Sequence, residues 1–328
     1  MRAAFYERTG PAAEVLRVGE LPTPAPAAGE VRVRLATSGV NPSDVKTRGG
    51  YRTTTLPFPR LVPHSDGAGT IDAVGAGIDP ARVGQRVWVW NAAWQRPDGT
   101  AAEFVVLPAA QAVPLPAGTD FAAGACLGIP ALTALHALRV DGDVAGQRVL
   151  VAGGAGAVGH YAVQMARLLG AAQVIATVGS AANAEVARAA GAHAVIDYRA
   201  EDVAARVAAL TGGAGVDRIV EVDLAANAAL DLALLRPEGR IVVYGSGQHV
   251  AGVPFGPAIM KNVRLSFFIV YALNAADRAA ALGQLGAWLE AGVLSHRVGL
   301  RLPLTEVARA HEAVERGGSP GNVVLEIG

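Results

Sequence analysis

The chain has 328 residues, with 28 Lys plus Arg against 28 Asp plus Glu, and its formal net charge at pH 7 is zero. That balance leaves no electrostatic footprint for nucleic acid, and 52% hydrophobic against 17% charged residues excludes a disordered chain. Its single cysteine, Cys126, excludes an intrachain disulfide and fits a reducing compartment. Residues Met1 to Gly10 contain no apolar signal core, and no apolar run approaches the ~20 residues that span a bilayer. A cytoplasmic protein without a membrane partner is expected, long enough for two domains.

In chain order, the first third reads as β structure. Residues 30–36 alternate Val31, Val33 and Leu35 with Arg32 and Arg34, the pattern of a half-buried strand. Strands are also predicted at 68–74 and 85–90, with turns at Asn41-Pro42, Pro97-Asp98-Gly99 and Pro114-Leu115-Pro116. Residues 119–138 turn Ala-rich and helical. From there strands at 149–152, 173–178, 194–198, 216–222, 240–244 and 264–270 alternate with helices at 159–169, 182–190, 201–210 and 225–235. Such alternation predicts a parallel sheet covered on both faces, and six strands suit a doubly wound α/β domain. Helices near 276–291 and 305–316 precede a last strand at 322–327, which is expected to rejoin the N-terminal sheet.

The segment 149–170 carries the strongest signal. An apolar strand enters a glycine-rich turn that opens directly into a helix. Gly154, Gly156 and Gly159 satisfy G-x-G-x-x-G, and Gly153 adds a G-x-x-G-x-x-G reading. Glycines let the backbone approach a pyrophosphate, and a helix opening at Gly159 would aim free N–H groups at it. An NAD-binding unit usually sets an acid about 20 residues on, to grip the ribose 2′-hydroxyl. Here Gly179 and Ser180 follow the second strand instead. Without an acid to repel a 2′-phosphate, NADPH is the expected cofactor. Asn183 stands where a base would help, so Arg199, after the next strand, is the expected source of positive charge.

Several further segments join this turn: Ser38-Gly39-Val40-Asn41-Pro42, Ser65-Asp66-Gly67-Ala68-Gly69 with Val74-Gly75, Leu127-Gly128-Ile129-Pro130 through Thr133, residues 221–235, and Gly239 through Ser246. Together they make the whole chain resemble the zinc-free medium-chain dehydrogenases/reductases, most closely the quinone oxidoreductases of the zeta-crystallin type. The resemblance implies a Rossmann doubly wound domain at 121–266 and a GroES-like, β-rich catalytic domain at 1–120. A return segment at 267–328 would complete the latter, with the active cleft between the domains. It also implies a homo-oligomer, dimer or tetramer, built on the nucleotide domains.

Zinc relatives share this architecture, so ligand chemistry decides the reaction. A catalytic zinc takes three protein ligands, and structural sites are often all cysteine. One cysteine rules out the four-Cys lobe. Ser38-Gly39-Val40-Asn41 stands where relatives carry the first Cys, and Ser65 occupies a ligand position beside His64. A Cys126, His64 and Asp66 trio is the remaining candidate, and no metal is expected. Hydride transfer to an electron-poor quinone needs no Lewis acid, only an apolar slot and a hydrogen-bond donor.

By the same resemblance, Asn41 is the catalytic-site polar residue, bonding a substrate carbonyl or the nicotinamide ribose, and Thr133 faces the nicotinamide. Lys46 replaces a tyrosine common in relatives, and Tyr51 is the nearest aromatic for the substrate pocket. Gly156, Ala157, Val158 and Gly159 would hold the pyrophosphate, with Gly179, Ser180 and Tyr198 around the 2′-phosphate. Gly245, Ser246 and Gly247 would close over the cofactor, and Phe268, Ile269 and Val270 would border the nicotinamide. Asn322, like Asn183, replaces a cation, so a modest preference for NADPH is expected. The reaction so implied is NADPH-dependent quinone reduction. An enoyl or alkenal reductase, and a non-catalytic NADPH-binding structural or regulatory protein, are the alternatives.

Overall fold

The computed structural model describes residues 1–51, 53–317 and 321–328. The chain divides into two compact units, Met1–Ile129 with Gly286–Gly328, and Pro130–Leu285. Residues 121–129 thus group with the first unit and 267–285 with the second.

The first unit opens with β1 (Arg2–Phe5) paired antiparallel to β2 (Arg17–Glu20) around the short helix α1 (Ala12–Val15). Strand β3 (Glu30–Val40) follows, burying Val31, Val33 and Leu35. The outward Arg32 pairs with Asp72 at 2.9 Å, and Arg32 and Arg34 both stack on Phe104. Helix α2 (Pro42–Arg48) begins where a turn was expected. Asn41 is its N-cap, in a capping box with Asp44, and Pro42 fills the first position, where a missing N–H costs nothing. Strands β4 (Asp66–Val74), β5 (Arg86–Val89), β6 (Phe104–Pro108) and β7 (Ala112–Pro114) complete this stretch. The region read as one helical run is instead α3 (Phe121–Gly124), a π-type turn at Leu127–Ala131 and α4 (Leu132–Arg139).

The second unit is a doubly wound α/β layer structure. Strands β8 (Arg148–Val151), β9 (Gln173–Val178), β10 (Ala194–Asp197), β11 (Val216–Glu221), β12 (Leu235–Val243) and β13 (Arg264–Phe267) are all parallel, in the order β10-β9-β8-β11-β12-β13. Helices α5 (Ala157–Leu168), α6 (Ala181–Ala189), α7 (Val203–Thr211), α8 (Leu224–Leu234), α9 (Phe255–Met260) and α10 (Ala275–Glu290) alternate with or follow them. The strands bury consecutive residues, such as Val149, Leu150 and Val151, as a sheet covered on both faces requires. The order reverses between β8 and β11, so the crevice for a ligand lies beyond their carboxyl ends. Two local expectations shift. Helix α5 opens at Ala157 rather than Gly159, and β13 stops at Phe267, leaving Phe268–Val270 outside the sheet.

The chain then returns to the first unit through β14 (Val298–Pro303), α11 (Val307–Arg316) and β15 (Asn322–Glu326). Strand β15 pairs antiparallel with β3, so the C-terminal strand does rejoin the N-terminal sheet, whose order is β14-β15-β3-β4-β5-β7 with β6 on β3. Among the described residues no helix is long and apolar enough to cross a membrane.

Candidate active site

At the crevice of the second unit, β8 runs into the glycine turn. Gly153 adopts φ +67°, a left-handed conformation that disfavours side chains. A Cβ on Gly154 would lie 2.5 Å from the Ala176 Cβ, and one on Gly159 only 2.1 Å from the Gly153 carbonyl oxygen. The turn is therefore closed by backbone against backbone. It is also tied to β9, since Gly154 N–H donates to the Thr177 carbonyl at 2.9 Å and Gly153 N–H to Thr177 Oγ1 at 3.3 Å. Gly156 caps α5, whose first intrahelical bond runs from His160 N–H to the Gly156 carbonyl. The N–H groups of Ala157, Val158 and Gly159 precede it, at the positive end of the helix, and suit a pyrophosphate.

The residues expected around a 2′-phosphate come together at the ends of β9 and β10. Ser180 caps α6 by accepting from Asn183 N–H at 3.3 Å. Tyr198 lies over Gly179, its hydroxyl 2.6 Å from where a Cβ on that glycine would sit. The Arg199 guanidinium lies 5.9 Å from the Tyr198 ring centroid. Two hydroxyls, a helix N-terminus and a cation thus face one exposed patch, with Tyr198 itself 52% exposed. On the other side of the crevice, Gly245, Ser246 and Gly247 follow β12 and are held against the segment after β11. Gly247 N–H donates to Asp223 Oδ1 at 2.7 Å, and a Cβ on Gly245 would strike the Val222 carbonyl at 2.3 Å.

Thr133 is buried on α4. Three residues on, His136 meets the Phe268 ring edge-on at 4.6 Å between centroids. Val270 is buried, with its carbonyl accepting from Arg278, whereas Ile269 is exposed.

In the first unit, Asn41 is buried at the head of α2 and its Nδ2 donates to Asp66 Oδ2 at 3.0 Å. Lys46, on the same helix, holds its ammonium 4.9 Å from the Tyr51 ring centroid, so the two expected pocket residues do meet. Asn322 opens β15 and directs both its backbone N–H and its side-chain amide to the Arg297 carbonyl, at 2.9 and 3.1 Å.

Two stretches match known family models: residues 27–117 the alcohol dehydrogenase GroES-like domain, and residues 157–285 the zinc-binding dehydrogenase family. A quinone oxidoreductase of Rattus norvegicus is 32% identical over 99% of this chain and 97% of its own length. A 2-haloacrylate reductase of a Burkholderia species is 31% identical over 99% and 98%. The chain belongs to the medium-chain dehydrogenases/reductases, in their quinone oxidoreductase branch. Solved structures agree: an NAD-dependent alcohol dehydrogenase superposes with a TM-score of 0.91 at 31% identity, covering both chains fully. The Escherichia coli quinone oxidoreductase, crystallised with NADPH, superposes at 0.87 and 27%, also over both full chains.

The zinc in one matched description does not fit the side chains of this medium-chain dehydrogenase/reductase. The Cys126 thiol is pushed well up by burial and donates to the Ala122 carbonyl at 3.2 Å. Both ring nitrogens of His64 are engaged, Nδ1 with Ser38 Oγ at 2.8 Å and Nε2 with His311 Nε2 at 2.9 Å. Burial pushes both imidazoles below the usual histidine range, His311 to about 3. Asp66 is taken by Asn41 and by Ile129 N–H at 2.9 Å. Among the described residues, no group of three or more His, Cys, Asp or Glu side chains is arranged to hold a metal.

One polar pair escaped the sequence reading. Glu221 ends β11 and Asp231 sits on α8, and both are buried. Glu221 Oε1 accepts from Asp223 N–H and from Asn227 Nδ2 at 3.0 Å. The outer oxygens, Glu221 Oε2 and Asp231 Oδ2, are buried with no partner on them. Burial raises both carboxyls, so the pair holds one shared proton. Burial first, and then the Glu221 charge, push Asp231 up to about 8. Between the ordinary carboxyl range and that value the folded state holds a proton the unfolded chain has lost, so this pair's contribution to stability falls as pH rises. Asp231→Asn replaces the shared proton with an amide N–H. Thermal unfolding across pH should give similar Tm values for the two proteins near pH 5, with the variant gaining by about 2 °C or more at pH 8.5. A difference that does not change with pH would refute the shared proton.

Proposed function

We propose that this enzyme transfers a hydride from NADPH to a quinone without a metal ion. The observation that carries the cofactor assignment is the patch at Gly179, where Ser180, Tyr198 and Arg199 replace the ribose-gripping acid of an NAD site. Bound NADPH supplies the hydride from its nicotinamide ring. The chain's own residues do the rest. Gly156, Ala157, Val158 and Gly159 bind the pyrophosphate through backbone N–H groups and the α5 dipole. Arg199 adds a charge-assisted bond to the 2′-phosphate. Gly245, Ser246 and Gly247 cover the cofactor, Thr133 and Phe268 through Val270 flank the nicotinamide, and Lys46 and Tyr51 border the acceptor. Zinc independence rests on the engaged Cys126, His64 and Asp66 side chains.

The similarity to a 2-haloacrylate reductase favours a second reading, reduction of an activated C=C, which uses the same hydride. Two further features complete the proposal. The single, buried free thiol of Cys126 suits the cytoplasm. Strand β13 has an unpaired edge beside the exposed Phe255, Met260 and Phe267, which supports a homodimer formed by a second copy of that strand. Sedimentation should give twice the 33.4 kDa chain mass. A single-chain mass would refute the dimer.

NADPH oxidation against 1,2- and 1,4-quinones, enals and enoyl thioesters tests the activity. Quinone turnover is expected. Activity with C=C acceptors alone would replace the quinone reading with the second one, and tight NADPH binding without turnover would reject both. Arg199→Ala should raise KM for NADPH about tenfold, the effect of one lost charge-assisted bond, and leave KM for NADH unchanged. Equal effects on both cofactors would remove Arg199 from the phosphate site.

A further inference from the structure

An Asp or Ser at a helix N-cap ordinarily turns its side-chain oxygen onto its own helix, accepting from a backbone N–H of the first turn. Three caps of this protein do so. Asp120 accepts from Ala123 N–H at 2.6 Å, Ser180 from Asn183 N–H at 3.3 Å and Asp202 from Ala205 N–H at 3.0 Å. Asp223 does not. It is the N-cap of α8, at φ −145° and ψ 77°, and its side chain makes no capping bond. Its Oδ1 accepts instead from Gly247 N–H at 2.7 Å, across 24 residues of chain.

The surroundings are built for that bond. Buried Glu221 holds the strand end behind it, where Oε1 accepts from Asp223 N–H and the backbone carbonyl accepts from Tyr244 N–H at 3.1 Å. Leu224 N–H donates to the Gly245 carbonyl at 3.4 Å, so residues 221–224 and 244–247 lie against each other. Two glycines allow the approach. A Cβ on Gly245 would lie 2.3 Å from the Val222 carbonyl oxygen, and one on Gly247 2.9 Å from Asp223 Oδ2. Gly247 is exposed, where water can serve its N–H. The stability of α8 favours the carboxylate on its own first turn, so helix capping does not account for the bond to Gly247. Holding residues 245–247 does.

We propose that Asp223 is a positioning residue, a latch that holds residues 245–247 against the end of β11 and so sets how long bound NADPH is retained. The inference rests on the NADPH reading of the preceding section, in which those residues cover the cofactor. Asp223 acts through the loop and not on the cofactor itself. Its carboxylate gives Gly247 N–H a charge-assisted acceptor. Without that acceptor the loop opens more readily, which speeds dissociation more than it alters association.

Asp223→Ser separates the latch from a structural role. Serine caps a helix as well as aspartate does, but its hydroxyl falls one bond short of Gly247 N–H. Stopped-flow NADPH dissociation and thermal unfolding are measured on wild type, Asp223→Ser and Asp223→Asn. Asp223→Ser should keep Tm within about 2 °C of wild type and release NADPH about tenfold faster, the effect of one lost charge-assisted bond. Asp223→Asn keeps an acceptor oxygen for Gly247 and should release NADPH within about threefold of the wild-type rate. Failure of wild type to bind NADPH would overturn the cofactor reading itself. If wild type binds, three results would overturn the latch: unchanged or slower release from Asp223→Ser, a Tm that falls well below wild type along with its affinity, or an Asp223→Asn that releases as fast as Asp223→Ser. Hydrogen–deuterium exchange on NADPH-free wild type needs no variant to fold: the Gly247 amide should exchange more slowly than in an unfolded chain, and exchange at the unfolded rate would overturn the latch as well.

Discussion

The Gly153 carbonyl oxygen lies where any side chain on residue 159 would have to start, 2.1 Å from that Cβ position. This one steric contact organises the ligand edge of the second unit. It lets β8 turn into α5 across residues 152–156, with the first N–H groups of the helix left unspent. The same turn hands two N–H groups to Thr177, locking β9 alongside, so that Gly179 and Ser180 at the end of β9 stand at a fixed distance from the helix start. Across the turn, Val222 Cγ1 lies 3.7 Å from the Cβ position of Gly153. The end of β11, and the 245–247 loop bonded to it, are thus registered to the same point.

The first unit shows a different economy. Its interior near Asn41 holds carboxyls and imidazoles that water would solvate better, and each makes at least one directed bond, although Asp66 Oδ1 and His311 Nδ1 have no partner. Thr100, Ser38, His64 and His311 form a chain of contacts of 2.7 to 2.9 Å, with Thr100 bonded onward to the Asp66 carbonyl. Burial keeps both histidines neutral, and it pushes Asp44 up to about 7 against the bonds from Asn41 that hold it down. In the zinc-bearing relatives this corner is where metal chemistry is expected. Here the side chains bond one another instead, and the acid next to the ligand position accepts from Asn41 and from Ile129 N–H.

The period-two and βα patterns made the framework legible, because strand and helix spacing are local properties of the sequence. Each predicted strand of the doubly wound sheet is present, with ends displaced by a few residues. Helix α2 was hidden because Asn-Pro is equally a turn and a cap followed by a first helical residue, and only the chain beyond Pro42 decides. Helix α5 opens early because Gly156 caps it, while Gly159 serves the turn's own packing. The glycine turn itself was legible because it is contiguous. Asp66, the Glu221–Asp231 pair and the stacking of Tyr198 over Gly179 were not, since each joins residues from separate elements and no spacing rule connects them. Asp66 was read only as a possible ligand, a role its two partners now occupy.

The central claim is that the edge organised by the Gly153–Gly159 turn receives the cofactor phosphates. Hydrogen–deuterium exchange with and without NADPH addresses it directly. The account predicts slower exchange on adding NADPH at the N–H groups of 156–159, with accompanying protection at 179–183 and 245–247. Protection confined to other segments, with the N-terminus of α5 unchanged while NADPH is bound, would contradict it.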